Sequence, residues 1–370
     1  MKVPYVNLGA QHKDIKEEIL GRISKILDSG QFILGDEVTE FEKQFALLSS
    51  TKYAVGVANG TDAIFLSLLA IGIQPGDEVI TTPNSYLASA SSIALAGGNI
   101  RFCDVASDFN MDPDSLEKAI TDKTKAVILV HLTGRPANID AVSAICERRN
   151  ILLIEDCAQA VGAKYDEQPV GSFGKTGCFS LHPLKNLSAC GDAGIITTND
   201  DQIYQHLLKS RNHGCVSRDE CEFWSYNSRL DTIQAAILNV KLKELPTWTA
   251  RRREIAQMYF DGLAGLPIIL PRDGKKEYSV YHTFIIQTDK RNALQSFLAS
   301  CEIDTKIHYP ISIYKQMAAK SLPYKSGDFP ETDRQTEQIL SLPVYPELTN
   351  DQVENVILSI NKFFSQNSNE

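Results

Sequence analysis

Apolar segments alternate with amphipathic segments along most of the chain. Short apolar stretches that are bounded by turn-forming residues are typical of strands buried on both faces. Between them, apolar residues recur every three or four positions, which predicts helices that cross from one strand to the next. The predicted strands are residues 53–58, 78–82, 99–102, 126–132, 151–154, 178–180 and 195–197.

Helical patterns fill the segments between and around these strands. In an N-terminal arm, residues 3–32, the spacing of Ile15, Ile19, Ile23 and Leu27 predicts one amphipathic helix. The other helices predicted are residues 38–48, a helix after the turn at 59–61, a helix that opens at 83–86, residues 113–120, 139–149 and 230–263.

The pattern changes near Pro246, where a proline is expected to break the last of these helices. Beyond it we predict strands at 278–288 and 305–308 and helices at 291–301 and 351–364. The chain is therefore expected to form two domains. Residues 1–245 contain the arm and a large α/β domain, whose mostly parallel sheet is flanked by helices, and residues 246–370 form a smaller α+β domain.

Composition excludes several classes of protein. The chain has 37 basic and 46 acidic residues and a net charge of −9, whereas a nucleic-acid surface needs clustered positive charge. No apolar run reaches the roughly 18 residues of a membrane span, and the N-terminus lacks the apolar core of a signal peptide. The eight cysteines form no C-x-x-C pairs, so reduced thiols in a cytoplasmic protein are favoured over disulfides or a metal site.

Candidate chemistry is concentrated between residues 151 and 194. The apolar run 151–154 ends on Glu155 and Asp156, and the carboxyl end of a buried parallel strand opens onto the ligand crevice. Lys185 follows the short strand 178–180 and a turn. A lysine and a buried carboxylate are what pyridoxal 5'-phosphate (PLP) requires: the lysine forms a Schiff base, and the acid keeps the pyridine nitrogen protonated.

Five blocks in order give a resemblance that covers nearly the whole chain. They are Asn-Gly-Thr-Asp-Ala at 59–63, Glu-Asp-Cys-Ala-Gln at 155–159, Ser-Leu-His-Pro-Leu-Lys-Asn-Leu at 180–187, Gly-Asp-Ala-Gly at 191–194 and Tyr-Asn-Ser-Arg-Leu at 226–230. The chain resembles the DegT/DnrJ/EryC1/StrS sugar aminotransferases. This resemblance implies a fold-type I PLP-transferase that uses PLP, with pyridoxamine phosphate (PMP) formed during turnover.

The resemblance assigns the two catalytic roles to Lys185 and Asp156. Lys185 would hold the cofactor and later act as the general base, and Asp156 would pair with the ring nitrogen. The alternatives are a surface lysine in a loop and an aspartate that caps a helix.

The resemblance also assigns contacts to the cofactor. Gly60, Thr61 and Ser180 would bind its phosphate, although Gly60 and Thr61 also suit an ordinary helix cap. Tyr86 would stack on the ring, or alternatively lie in the core, and Gln159 would reach the ring or lie on a solvated helix.

One further residue implies an assembly. Asn227 matches a residue that reaches the phosphate from the neighbouring subunit, which implies a homodimer with active sites at the subunit interface. For Arg229 we expect a structural ion pair, the alternative being a role in the interface or the site. We expect His131 to be a hydrogen-bonded structural residue.

The function implied is transfer of an amino group from glutamate to a keto sugar, most simply a nucleotide-linked 3-keto sugar. Candidate contacts for the anionic substrates are Lys306, His308 and Arg211. Ser188 and Tyr314 depart from residues that are common in relatives, and both lie where a sugar or nucleotide could bind.

Other functions stay open at this point. A PLP-dependent sugar dehydratase would carry a histidine in place of Lys185. A desulfurase-like use of Cys190 competes with a packed thiol. A non-catalytic, PLP-binding regulatory dimer would be expected to lack the lysine or to carry an added DNA-binding segment.

Overall fold

A seven-stranded sheet forms the centre of the protein in the computed structural model, which describes residues 1–366. Its strands are β1 (Tyr53–Val57), β2 (Glu78–Thr81), β3 (Asn99–Phe102), β4 (Thr124–Val130), β5 (Leu152–Asp156), β8 (Thr176–Ser180) and β9 (Gly194–Thr198). The short strands outside it are β6 (Lys164–Tyr165), β7 (Gln168–Pro169), β10 (Glu277–Tyr278), β11 (Phe284–Gln287) and β12 (Ile339–Leu342).

Helices cover both faces of the sheet and build the C-terminal part. The helices are α1 (Leu8–Gln11), α2 (Lys16–Ser29), α3 (Asp36–Leu48), α4 (Gly60–Ala70), α5 (Leu87–Leu95), α6 (Pro113–Ala119), α7 (Ile139–Arg149), α8 (Asp201–Ser210), α9 (Thr232–Gly262), α10 (Arg291–Ser300), α11 (Pro330–Gln338) and α12 (Asn350–Gln366). None of them combines the length and the apolar character that crossing a membrane requires.

The strand order confirms the expected sheet. It is β1-β9-β8-β5-β4-β2-β3, in which β3, β2, β4, β5 and β8 run parallel and β9 and β1 are antiparallel to their neighbours. Parallel register pairs Val130 with Asp156 and Asp156 with Cys178. Because these strands end at the same edge of the sheet, the segments that follow them are brought together there.

Apolar residues bury both faces of the central strands, since neighbouring side chains in a strand point to opposite faces. Leu153 packs with α3, α6, α7 and α9 residues in one cluster. Ile154, next in β5, packs with residues of α4, α5 and α8 in another. A strand that is buried on both faces reads as a continuous apolar run, which is the pattern seen in the sequence.

A separate apolar cluster joins the second half of α9 to α10, α12, β11 and β12. Val3 belongs to it: the Val3 N–H donates to Glu302 O at 2.9 Å, and the Asp304 N–H donates to Val3 O at 2.9 Å. The N-terminal arm is thus packed onto the C-terminal part of the chain. The boundary at residue 245 stays a prediction.

Several local predictions were wrong. Helix α9 is continuous through Pro246, with buried residues on both sides of the proline. Residues 305–308 form only an isolated bridge, between Lys306 and Ser341. Helix α2 buries Ile19 and Ile26, whereas Leu27 is 61% exposed. The sequence reading also missed α8, α11 and β12, which are short elements without a long periodic pattern.

Candidate active site

A cavity of about 610 Å³ lies at the carboxyl ends of β4, β5 and β8. Its wall includes the N-terminus of α4, the start of α5, the loop after β8 and residues 308–309. Seven of the eight residues that the sequence singled out as catalytic or cofactor-binding line it. They are Gly60, Thr61, Tyr86, Asp156, Gln159, Ser180 and Lys185.

Lys185 lies in the turn after β8, where its N–H donates to His182 O at 2.8 Å. Its side chain is partly buried in the cavity wall. Burial disfavours the ammonium form and lowers the pKa of Lys185 to about 8, while the negative charge of Asp156 opposes this shift. A substantial fraction of the amine is therefore neutral near physiological pH, as a nucleophile or base requires.

Asp156 is the last residue of β5 and is 5% exposed. Its Oδ2 accepts a hydrogen bond from Ser89 Oγ at 2.8 Å, and its Oδ1 accepts one from the Ala158 N–H at 3.1 Å. Burial raises the pKa of Asp156, and both hydrogen bonds oppose that shift by favouring the carboxylate. The helix-cap alternative does not apply, because turns follow β5 instead of a helix.

The N-terminus of α4 and Ser180 form one end of the cavity. Asn59 caps the helix by accepting from the Asp62 N–H at 2.8 Å. Gly60 and Thr61 are its first residues, so their N–H groups have no intrahelical acceptor. A Cβ on Gly60 would lie 2.6 Å from Ser180 Cβ. The glycine thus lets a helix N-terminus and a serine hydroxyl approach the same point, which suits a phosphate group.

Two tyrosines and a glutamine, Tyr86, Tyr309 and Gln159, form another part of the cavity wall. Gln159 is 6% exposed; its Oε1 accepts from the Thr133 N–H at 2.7 Å, and its Nε2 donates to Tyr309 Oη at 3.0 Å. Tyr86 is 58% exposed at the N-terminus of α5, and its ring centroid lies 5.9 Å from that of Tyr309. Tyr86 is therefore a wall residue and not a core residue, and Gln159 is not on a solvated helix.

Sequence reasoning missed Tyr309, His282 and Ser89 as site residues. Tyr309 and His308 both line the cavity, and of these two residues the sequence indicated only His308, as a candidate anion contact. Burial lowers the pKa of His308 to about 4 and that of His282 well below its usual range, and the charge of Lys185 acts in the same direction. No local signal in the sequence could have identified Ser89, because it contacts Asp156 across 67 positions.

Other candidate residues lie outside the cavity wall. Arg211 is buried against Glu42, and its Nη1 also donates to Gly56 O at 3.0 Å, so it is not an anion contact in this cavity. Lys306 pairs by its backbone with Ser341. Arg229 donates to the Asn212 side chain at 2.9 Å instead of forming the expected ion pair.

The structure also shows where His131 and Asn227 lie relative to the cavity. His131 lines the cavity; its Nε2 lies 3.0 Å from Glu155 Oε2 and its Nδ1 accepts from the Ala137 N–H at 3.0 Å, so both ring nitrogens have hydrogen-bond partners. Asn227 is exposed and does not line the cavity of its own chain.

These residues fit PLP. The cavity offers an amine for the aldehyde, a fixed carboxylate for the ring nitrogen, an exposed aromatic face and an anion cradle from which Gly60 excludes side-chain atoms. The four features lie in one cavity at the edge of the sheet.

Comparison with known proteins identifies an aminotransferase family, which agrees with a cavity that fits PLP. The model of the DegT/DnrJ/EryC1/StrS aminotransferase family matches residues 13–361. The chain is 41% identical to the pleiotropic regulatory protein of Geobacillus stearothermophilus, covering 98% of this chain and 99% of that protein. It is 37% identical to the dTDP-3-amino-3,4,6-trideoxy-alpha-D-glucose transaminase of Streptomyces venezuelae, covering 98% and 96% of the two chains.

Solved structures are similar over the whole fold. The crystal structure of S. venezuelae DesV in complex with a ketimine intermediate has a TM-score of 0.96 and 37% identity, covering 98% of each chain. The Bacillus subtilis protein ntda with bound cofactor PMP has a TM-score of 0.92 and 29% identity, covering 99% of this chain and 86% of that one.

Proposed function

The chain belongs to the DegT/DnrJ/EryC1/StrS aminotransferase family, and from this premise we propose that it is a PLP-dependent sugar aminotransferase. It transfers an amino group from an amino acid to a keto sugar, and the acceptor is a nucleotide-linked 3-keto sugar. The single observation that carries this function is the shared cavity of Lys185 and Asp156.

The cofactor supplies an aldehyde that accepts the amino group and a ring that stores the electrons released when a Cα–H bond breaks. Lys185 would hold the aldehyde as a Schiff base, and its Nζ, when free, would act as the base that moves a proton from the substrate carbon to the former aldehyde carbon. A pKa of about 8 lets the same amine both accept and give up a proton. Asp156, as a carboxylate that accepts hydrogen bonds from Ser89 and Ala158, would keep the ring nitrogen protonated.

The remaining wall residues bind and orient. Gly60, Thr61 and Ser180 would hold the phosphate, and Tyr86 would contact the ring. Hydrogen bonds with the Thr133 N–H and Tyr309 Oη fix the Gln159 amide in one orientation at the cavity wall. Fixed groups of this kind reduce the entropy lost on reaching the reactive geometry.

The acceptor follows from the relatives. The S. venezuelae relative is named for a dTDP-linked sugar that carries its amino group at C-3. A cavity of about 610 Å³ lies within the usual range for small-molecule sites of roughly 300–1,000 Å³. Glutamate is the proposed donor, and 2-oxoglutarate is the product of the first half-reaction.

The protein acts as a homodimer in this proposal. Asn227 is exposed on its own chain, which is what a residue that contacts the phosphate of a neighbouring subunit requires. Ser228, the next residue, is buried and donates to Asp62 Oδ2 at 2.6 Å, which fixes the position of this segment. We place the reaction in the cytoplasm, since the cysteines are free thiols.

The test is a spectral one. The cofactor absorbance of the purified holoenzyme should change on addition of glutamate and return on addition of a keto sugar from a panel that varies the nucleotide and the keto position. Borohydride treatment followed by peptide mapping should label Lys185. Lys185→Ala should abolish both responses, and Lys185→Arg keeps the charge as a matched control. Label on any other lysine would refute the assignment.

A second function is favoured by one comparison. The relative at 41% identity is named a regulatory protein. This name supports the alternative that the chain is a non-catalytic, PLP-binding regulatory dimer. That function predicts that Lys185→Ala leaves the measured biological effect unchanged. The dehydratase alternative is disfavoured, because the chain keeps Lys185 where that class has histidine.

A further inference from the structure

Two cysteines face each other across a small hairpin, residues 212–227, that lies outside the cavity. Cys215 and Cys221 are partners in an isolated antiparallel bridge. The Val216 N–H donates to Glu220 O at 3.0 Å, and the Glu222 N–H donates to Gly214 O at 2.9 Å. These bonds flank the cysteine pair, which makes it a non-hydrogen-bonded pair of the ladder.

This register sets the separation of the two residues. Partners in a non-hydrogen-bonded pair have Cα atoms about 4.5 Å apart, and their side chains stand on the same face of the ribbon. Disulfides span Cα separations of about 4.4–6.8 Å. Closure of a disulfide between Cys215 and Cys221 therefore needs side-chain rotation and no change of strand register.

On the single chain the two thiols are also accessible. Cys221 is exposed and Cys215 is half-buried. In the reduced form the Cys221 thiol donates to Phe223 O at 3.0 Å, a contact that rotation about its Cα–Cβ bond releases.

Four other thiols differ from this pair because they are buried. Burial raises the pKa of Cys103, Cys146, Cys157 and Cys178, which makes their thiolates scarce. Within residues 1–366, the one cluster of three potential metal ligands is His131, Glu155 and Cys157, so the hairpin pair is not part of such a cluster.

We propose that Cys215 and Cys221 form a dithiol modification site that closes into an intramolecular disulfide in the presence of a low-molecular-weight disulfide such as oxidised glutathione. The thiolate of one cysteine attacks a glutathione sulfur and expels one glutathione thiolate. The second cysteine then attacks the mixed disulfide and expels the other, so two protein thiols are oxidised and one glutathione disulfide is reduced to two glutathiones.

The disulfide would link the strand that leads to Asn227 covalently to the opposite strand of the hairpin. The hairpin is closed at its base by the bridge between Asn212 and Asn227, and the chain from Cys221 to Asn227 is one of its two sides. A covalent link between the two sides removes the open conformations of the ribbon. Amide hydrogen exchange within residues 212–227 is therefore expected to slow on oxidation.

The sequence makes the test direct. Trypsin cleaves after Arg211, Arg218 and Arg229, so the two cysteines fall on different peptides, 212–218 and 219–229. Native holoenzyme is incubated with oxidised glutathione, free thiols are alkylated, and the digest is analysed by mass spectrometry. The expected product is the two peptides joined, at a mass lower than their sum by two hydrogen atoms, with loss of two alkylatable thiols.

Variants supply the controls. Cys190→Ser removes an exposed thiol elsewhere on the chain and should leave the joined product unchanged. Cys221→Ser should replace it with a glutathione adduct on Cys215. Separate glutathione adducts on both peptides of the wild type, free thiols at both positions, or equal exchange rates in the oxidised and reduced proteins would each overturn the proposal.

Discussion

Ser89 Oγ donates a 2.8 Å hydrogen bond to Asp156 Oδ2, and Ser85 Oγ lies 2.9 Å from Ser89 Oγ. An ionised carboxylate can only accept hydrogen bonds, so the single hydroxyl proton of Ser89 is donated to Asp156. Ser85 is then left to donate to Ser89. This chain of hydroxyls runs from the cavity wall to the carboxylate and favours its charged form against the cost of burial.

Replacing Ser89 with alanine should therefore weaken cofactor binding and catalysis. A hydrogen bond to a charged group contributes roughly 1.5–3 kcal/mol, which corresponds to a loss of about tenfold or more in kcat/KM. The dissociation constant of PLP, measured by absorbance titration, should rise in the same variant. Ser89→Thr, which keeps the hydroxyl, should recover most of the loss.

A matched control is Ser67→Ala, since Ser67 is also a fully buried serine but contacts Cys178 Sγ at 3.3 Å. Equal losses in the Ser89 and Ser67 variants would show that a buried serine matters only for packing.

The reactivity of Lys185 should depend on pH with a midpoint near its pKa of about 8. Only the neutral amine is nucleophilic, so acetylation of Lys185 in the cofactor-free protein should speed up as pH rises through 8 and level off above it. Competitive labelling with acetic anhydride and peptide mapping measures this rate. In Asp156→Asn the midpoint should fall, because the Asp156 charge favours the ammonium form. A midpoint near that of an exposed lysine would contradict the burial argument.

Gly60→Ala should damage the anion cradle. The added Cβ would lie 2.6 Å from Ser180 Cβ and 3.0 Å from Ser180 Cα, so the helix or the serine must shift. Overpacking of this kind costs about 1–3 kcal/mol. Affinity for PLP should fall, and affinity for pyridoxal, which lacks the phosphate, should change much less.

The control for this variant is Gly21→Ala in α2, where a Cβ meets nothing within 4 Å. It should leave cofactor affinity unchanged and stabilise the protein slightly, because alanine is the better helix former. If Gly60→Ala lowered the affinities for PLP and for pyridoxal equally, the proposal that Gly60 helps to bind the phosphate would be wrong.

Arg211→Ala should reduce stability without altering substrate binding. Its guanidinium is buried against Glu42 and Gly56 O, and loss of one partner leaves a buried charge, at a cost of about 3–5 kcal/mol. Urea unfolding measures the loss. KM values for both substrates should stay close to those of the wild type, and a large rise in KM alone would place Arg211 in the binding site after all.

Sequence reading predicted most of the residues that share the cavity because they lie in short local motifs. Asp156 ends an apolar run, and Lys185 and Ser180 share one block, so a strand and its following loop place them together. The same reading failed for Arg229 and Pro246. The partner of Arg229 is Asn212, on the opposite side of a hairpin, and α9 stays helical at Pro246 with buried residues on both sides of it.

By itself, the sequence determined the buried strands, most of the helices and the chemical groups of the candidate site, because burial periodicity and motif spacing are local properties of the chain. Only the tertiary structure decided that Ser89 contacts Asp156, that Tyr309 holds Gln159 from 150 positions away, and that Val3 packs onto the C-terminal cluster. Contacts of this kind depend on the order of the strands and on the side of the sheet to which each connection returns, and neither is encoded in a local pattern.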